Sequence, residues 1–455
     1  MRQFWKVAGV CAVALLGAGA IAQAQVKPGK GVLLEDWVKD PIPPGFQVLN
    51  VDLEGTVFAD ANGKTLYYWP VTGLRNGDAG DQKNKSSCDD TKITVNAGLM
   101  SPYPGGLELP EVATRPTCAQ VWPAVLAAPD AKPVGKWSII TRGDGKKQWA
   151  YDNNALYTSV LDQRIGDVRG GTRKEQTSED GAVRQPAGPT PNLPAQFKAR
   201  TMSTGRLIAT ADTGRSLYTW DKDTATKSMC DAACQREWQP VLAPESVQPQ
   251  GEWTIIQISP GTKQWVFRGK PVYTHLSDDK TYSVQGGDIP GWHNVYTQLA
   301  PPAPKGWYVS DNRTGQVLSN EAGRTVYYYN CNDDAVDQLA CNHPDAPQAY
   351  RLAICGRGLP ELCLKNFPYV TAPKDAQPVG NTWSAVYIDP KTGKYAKAGD
   401  AGALYVWAHR GRPVYHCGKD KKAGDIECDT YGEFNGARNG YKAFWMRDDF
   451  GRQSG

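Results

Sequence analysis

Three tryptophan–tyrosine pairs at one fixed offset constrain this chain more than any other feature. Trp149 lies eight residues before Tyr157, Trp265 eight before Tyr273, and Trp407 eight before Tyr415. Upstream of each pair stands a second phrase: Gly63-Lys64-Thr65-Leu66-Tyr67-Tyr68-Trp69, then Gly214-Arg215-Ser216-Leu217-Tyr218-Thr219-Trp220, then Gly323-Arg324-Thr325-Val326-Tyr327-Tyr328-Tyr329. In each, a basic residue follows the glycine, then Ser or Thr, an aliphatic residue and Tyr. Between the phrase and the pair, a cysteine sits four residues before a large aromatic: Cys118 before Trp122, Cys234 before Trp238, Cys363 before Phe367. Self-similarity of this kind marks copies of one structural unit.

The copies read as strands. Short runs such as Leu207-Ile208-Ala209-Thr210 and Trp253-Thr254-Ile255-Ile256 are β-prone, and Gly, Asn, Asp and Pro separate them. The expected fold is therefore all-β: three tandem, disulfide-stapled antiparallel modules, each of two related half-units. A propeller-like ring of six units is the alternative architecture. Expected boundaries are a Pro/Gly-rich lead-in at 25–50, modules at 51–170, 202–299 and 307–455 (the last with insertions), and linkers at 171–201 and 300–306. Asp162, Asp223, Asp278 and Asp420 each stand five residues after a Tyr of these phrases, the basis for reading each module as two related half-units.

Residues 1–24 read as a secretory signal. Arg2 and Lys6 precede an apolar run from Val7 to Ala20, and Ala22-Gln23-Ala24 offers a small-x-small cleavage point. The run is short for a membrane anchor, which needs about 20 apolar residues. The mature chain is expected to be periplasmic or secreted, with no transmembrane segment. Net charge is +4 and no long basic run occurs, which argues against nucleic acid as a partner. With 15 Trp and 21 Tyr, rigid aromatic side chains are expected to supply much of the core.

Setting Cys11 aside with the signal leaves ten cysteines, an even set that suits disulfides in an oxidising compartment. Their positions suggest Cys88–Cys118, Cys230–Cys234, Cys331–Cys341, Cys355–Cys363 and Cys417–Cys428. No Cys-x-x-Cys-His haem motif or Cys-x-x-Cys zinc pair is present.

The phrase Tyr218-Thr219-Trp220-Asp221-Lys222-Asp223 resembles the signature of a family of exported bacterial repeat proteins, the secreted-repeat or predicted lipoprotein family with a Tyr-x-(Phe/Trp/Tyr)-x-x-Asp motif. Tyr67-Tyr68-Trp69 and Tyr327-Tyr328-Tyr329 match its aromatic part, with Thr72 and Asn332 where the aspartate should stand. The resemblance implies an exported repeat protein and no particular activity. The chain departs from the lipoprotein form in having no lipobox.

The aromatic phrase has two uses. A strand-and-turn role would bury its side chains, with Asp223 capping the following turn. A binding role would use Tyr218, Trp220, Asp223, Tyr67, Trp69, Tyr327 and Tyr329 as an aromatic platform beside carboxylates, able to stack on a sugar ring or hold a cation. His409 and His416, flanking the Gly411-Arg412-Pro413 turn, are weak candidates for copper or zinc; otherwise no cofactor is expected. No Gly-x-Ser-x-Gly, His-Glu-x-x-His or phosphate-loop motif occurs. The leading expectation is a non-enzymatic binding or scaffold protein, its partner an unidentified ligand or protein, with a glycan among the candidates. A periplasmic redox or metal-handling protein is the first alternative. A carbohydrate-active enzyme is the second.

Overall fold

A computed structural model describes residues 34–68, 96–97, 107–108, 118–170, 185–278, 281–312, 314–331, 347–432 and 439–448. The described chain is mostly strand with few helices, and every strand pairing is antiparallel. Its sheets hold from two to six strands, unlike the equal blades of a six-unit ring.

Three hairpins open corresponding stretches of chain. Phe46–Val51 pairs with Gly55–Asp60, Phe197–Met202 with Gly205–Thr210, and Tyr308–Asn312 with Gly315–Ser319. The motif phrase then folds back onto its hairpin through the same backbone bonds each time. Leu66 N–H donates to Phe58 O at 2.9 Å, Leu217 to Ile208 at 3.0 Å and Val326 to Leu318 at 2.9 Å. A later residue closes each loop: Ala187 N–H on Leu66 O at 2.7 Å, Val295 on Leu217 at 2.9 Å, Phe444 on Val326 at 2.9 Å. The aliphatic residue of each phrase is thereby locked in the interior, and Leu66, Leu217 and Val326 are fully buried. The motif glycines Gly63, Gly214 and Gly323 take φ of 79°, 68° and 76°, a left-handed turn that a Cβ disfavours.

The second halves also correspond. Trp137–Thr141 pairs with Lys147–Tyr151 so that Ile139 faces Trp149; Trp253–Ser259 pairs with Thr262–Phe267 so that Ile255 faces Trp265; Trp383–Ile388 pairs with Leu404–His409 so that Ala385 faces Trp407. Trp149, Trp265 and Trp407 are buried in like surroundings. Phe46 packs edge-on to Trp149 at 5.7 Å, Phe197 meets Trp265 at 5.9 Å and Trp307 meets Trp407 at 5.9 Å. Each of the three lies in its own hydrophobic cluster. These aromatic centres are what the high Trp and Tyr content builds, with each large ring removing a wide apolar area from water.

Two stretches expected as connectors carry strands. Phe46–Val51 lies in the expected lead-in except for its last residue. Gln185–Pro186, paired with Tyr67–Tyr68, lies in the expected linker at 171–201, as does Phe197–Met202 except for its last residue. The prolines and charges around these strands masked a short apolar pattern. The last third of the chain also adds two helices, Pro347–Gly356 and Pro360–Asn366, clipped together by Cys355–Cys363.

The stretches interlock. Leu53 N–H donates to Gln298 Oε1 at 2.6 Å, and Gln298 Nε2 donates to Val51 O at 3.0 Å. On the other side of the same turn, Asn381 N–H donates to Asp52 Oδ2 at 2.9 Å, and Arg410 is ion-paired with Glu54. Ser203 Oγ donates to Trp445 O at 2.6 Å.

Candidate functional site

The site is built from the most complete copy of the phrase. Tyr218–Trp220 is an inner strand of a four-stranded sheet, flanked by Tyr273–His275 and Trp292–Asn294, with Trp238–Pro240 beyond Tyr273–His275. Side chains alternate along a strand, so Tyr218 and Trp220 leave it on the same face. The register sets Tyr218 opposite Tyr273 and Trp220 opposite Trp292.

On that face the rings form a column. The Trp220 and Trp292 rings are stacked at 5.2 Å between centroids and 4° between planes. Trp292 and Trp238 are stacked at 3.7 Å and 4°. His275 continues the stack on Trp238 at 4.2 Å. Two tyrosines meet the column edge-on: Tyr218 against Trp238 at 5.2 Å, and Tyr273 against Trp292 at 5.1 Å. Gly286 lets the chain pass this close, since a Cβ there would stand 2.8 Å from the Tyr218 ring and 3.0 Å from Trp238.

Both tyrosines have carboxylate partners drawn from the opposite half of the unit. Tyr218 O–H donates to Asp278 Oδ2 at 2.8 Å. Tyr273 O–H shares a 2.7 Å hydrogen bond with Ser228 Oγ, and Asp223 lies beside it. Burial raises the Asp278 and Asp223 carboxyls above the usual range, and it raises both phenols as well. The Tyr-to-Asp bond recurs elsewhere: Tyr67 donates to Asp162 at 2.6 Å and Tyr327 to Asp420 at 2.9 Å. Burial pushes Asp162 up to about 7 and Asp420 up to about 6. The constant Tyr-plus-five position of the aspartates was the sequence signal for these bonds. The exchange between halves was not visible in it.

The column opens to solvent at one end. Trp292 and Trp238 are buried, whereas Trp220 is partly exposed. Lys222 Nζ stands 4.7 Å from the Trp220 ring. Asp221 Oδ1 meets His293 Nε2 at 2.9 Å, and both side chains are more than half exposed, at 65% and 59%. The open end thus joins an indole to a carboxylate, an ammonium and an imidazole.

The expected platform is otherwise interior. Tyr218, Asp223, Tyr67, Tyr327 and Tyr329 are all buried, so five of the seven proposed binding side chains face the core. They pack inward: the Tyr218, Tyr67 and Tyr327 hydroxyls donate to Asp278, Asp162 and Asp420, and Asp223 accepts from the Met229 N–H in the turn after its strand. Trp69 lies outside the described residues. The disulfides Cys230–Cys234, Cys355–Cys363 and Cys417–Cys428 are present. The other two expected pairs include Cys88 and Cys341, which lie outside the described residues. His416 is buried, with Nδ1 against Thr325 O at 2.9 Å and Nε2 against Asn320 Nδ2 at 3.2 Å. Burial lowers it to about 4. His409 packs on Trp383 and Phe444. Cys417 is in a disulfide, and among the described residues no group of three or more His, Cys, Asp or Glu is placed to hold a metal ion.

The last copy places different rings at the corresponding positions, and only its inner pair is stacked. Tyr329 sits opposite Tyr441, as Trp220 does opposite Trp292. Tyr441 stacks on Phe367 at 3.5 Å and 10°. Here Tyr329 is buried, and Tyr415, the counterpart of Tyr273, faces the Arg351 guanidinium at 5.3 Å instead of a carboxylate.

The open column lies in the part of the chain where a family comparison succeeds. Residues 201–242 match a family model described as a secreted repeat of unknown function. The match takes in the hairpin Phe197–Met202 and Gly205–Thr210 in part, the whole Tyr-Thr-Trp phrase, the Cys230–Cys234 clip and Trp238. The matched segment supplies two of the three stacked indoles, Trp220 and Trp238. No curated protein and no solved structure matches the chain. Among the described residues, no helix is long and apolar enough to cross a membrane.

Proposed function

We propose that this is an exported, non-enzymatic repeat protein, periplasmic or secreted after cleavage near Ala24, in which three copies of one β unit form a rigid scaffold. Its binding surface is the open end of the indole column. The observation that supports this most is the contrast within one motif: its tyrosine and its last aspartate, Asp223, are committed to the interior, and its middle aromatic, Trp220, is left partly exposed beside Asp221, Lys222 and His293. An indole face held still by stacking loses little conformational entropy when a ligand settles on it. A carboxylate and an imidazole at its border supply directional hydrogen bonds. Together they suit a ligand with a flat or ring-shaped apolar face and hydroxyl groups at its edge, a glycan being the leading class.

The test is a glycan array probed with the full chain, repeated with Trp220→Ala and with Asp221→Asn. Binding that falls at least tenfold in Trp220→Ala, with unchanged thermal unfolding, supports the proposal. Glycan binding that survives both substitutions, or no binding to any glycan, rejects it. Turnover of a bound glycan would replace it with the enzymatic alternative.

A further inference from the structure

The column has a second property that does not depend on any ligand. Packing alone does not require indoles here. The last copy fills the corresponding places with Tyr329, Tyr441 and Phe367: Tyr441 and Phe367 stack, and the outer ring, Tyr329, is buried and tilted 58° to Tyr441. Phenylalanine is very hard to oxidise, so that stack is interrupted as an electron path. In the middle copy all three stacked rings are indoles, each within 4° of its neighbour's plane, and the outermost reaches solvent. Indole is among the most readily oxidised side chains. The two edge-on rings are tyrosines, and a hydrogen-bonded base lowers the cost of oxidising a phenol by taking its proton.

We propose that Trp220, Trp292 and Trp238 form a path that carries an oxidising equivalent from the surface to Tyr218 and Tyr273. A one-electron outer-sphere oxidant at the surface takes an electron from the Trp220 indole and is itself reduced. Trp292 returns an electron to Trp220, and Trp238 returns one to Trp292, so the cation radical moves inward. Tyr218, edge-on to Trp238, supplies the last electron, and its phenolic proton crosses the 2.8 Å bond to the Asp278 carboxylate. The sum is one electron to the oxidant, a neutral phenoxyl radical on Tyr218, a protonated Asp278 and three restored indoles. Tyr273 offers the same exit from Trp292, with Ser228 and Asp223 at its hydroxyl. Asp278 Oδ1 lies 3.8 Å from His275 Nδ1, which gives the transferred proton an onward partner. A surface one-electron reductant and a returning proton reverse the sequence.

His293 makes the proposal testable, because its exposed imidazole lies in register beside this strand, opposite Thr219. A photoactive ruthenium bipyridyl group is attached there, in a His343→Gln background, and flashed with an external quencher. The expected result is a tryptophan radical followed by a tyrosyl radical, the second step slowed about twofold or more in heavy water. Trp220→Phe should lower the tyrosyl yield at least tenfold. Tyr218→Phe combined with Tyr273→Phe should abolish it and leave a long-lived tryptophan radical. Phenylalanine keeps a ring at each site, and circular dichroism checks the fold. The proposal is overturned by no tyrosyl radical in the parent protein, by an equal yield in Trp220→Phe, or by a tyrosyl signal that persists in the double variant.

Discussion

Tyr218 and Asp278 stand 60 residues apart in sequence and 2.8 Å apart in space, phenol to carboxylate, at the centre of the middle copy. The bond ties the first half of the unit to the second. It also explains why a motif that looks like an exposed aromatic-acidic surface is mostly interior. Removing the donor should therefore cost stability. Tyr218→Phe leaves Asp278 buried without its phenol, and a loss of about 1–3 kcal/mol is expected. Urea unfolding at neutral pH measures it.

The repeated buried aspartates set a pH dependence. Asp162 titrates at about 7 in the folded chain, because burial disfavours its charge, against about 3.9 when exposed in the unfolded chain. The folded state therefore holds this proton more tightly. The resulting stability is full below the unfolded value and is lost as pH rises through about 7. Asp420, raised to about 6, acts in the same direction. Unfolding midpoints should fall between pH 5 and pH 7.5, and Asp162→Asn should flatten that slope. An unchanged slope in the variant would show that the carboxyl is ordinary.

The clip before Trp238 should be modest. Cys230–Cys234 closes a loop only four residues in separation, and Cys417–Cys428 one of eleven. Chain-entropy arguments give about 2 kcal/mol for the first and about 3 kcal/mol for the second. Replacing each pair with serine should follow that order in thermal unfolding, and a thiol assay of the intact protein should find these four cysteines unreactive.

Corresponding interior positions should respond alike. Leu66 and Leu217 are both fully buried and make the same backbone bond to their hairpins. Leu→Ala at either site should cost about 2–5 kcal/mol, with the two values within a factor of two. A near-neutral effect at one of them would show that the copies are not packed alike.

Much of this was legible in the residues. The eight-residue Trp-to-Tyr offset located three buried tryptophans with matching neighbours, and the cysteine-to-aromatic spacing located two of the clips. Other features were not legible, for physical reasons. A side chain's face on a strand depends on pairing register, so Tyr218 and Asp223 looked available when the sheet in fact closes over them. The Trp220–Trp292 stack joins residues far apart in sequence, and Trp292 belongs to no repeated phrase. Phe197–Met202 alternates apolar and charged residues so weakly that the prolines just before it dominated, yet its edge is satisfied by the neighbouring hairpin strand. The helix Pro360–Asn366 lengthens the short helical turns Cys118–Val121 and Cys234–Arg236 that precede the corresponding tryptophans, and Pro347–Gly356 packs ahead of it, with no apolar period in the sequence to announce either.

In each copy of the unit one tyrosine–aspartate bond joins the first half to the second. Double-mutant cycles measure its strength, using Tyr→Phe and Asp→Asn at Tyr67/Asp162, Tyr218/Asp278 and Tyr327/Asp420. A favourable coupling of about 1 kcal/mol or more is expected in all three cycles. Additive effects in any one of them would show that the bond does not hold that copy together.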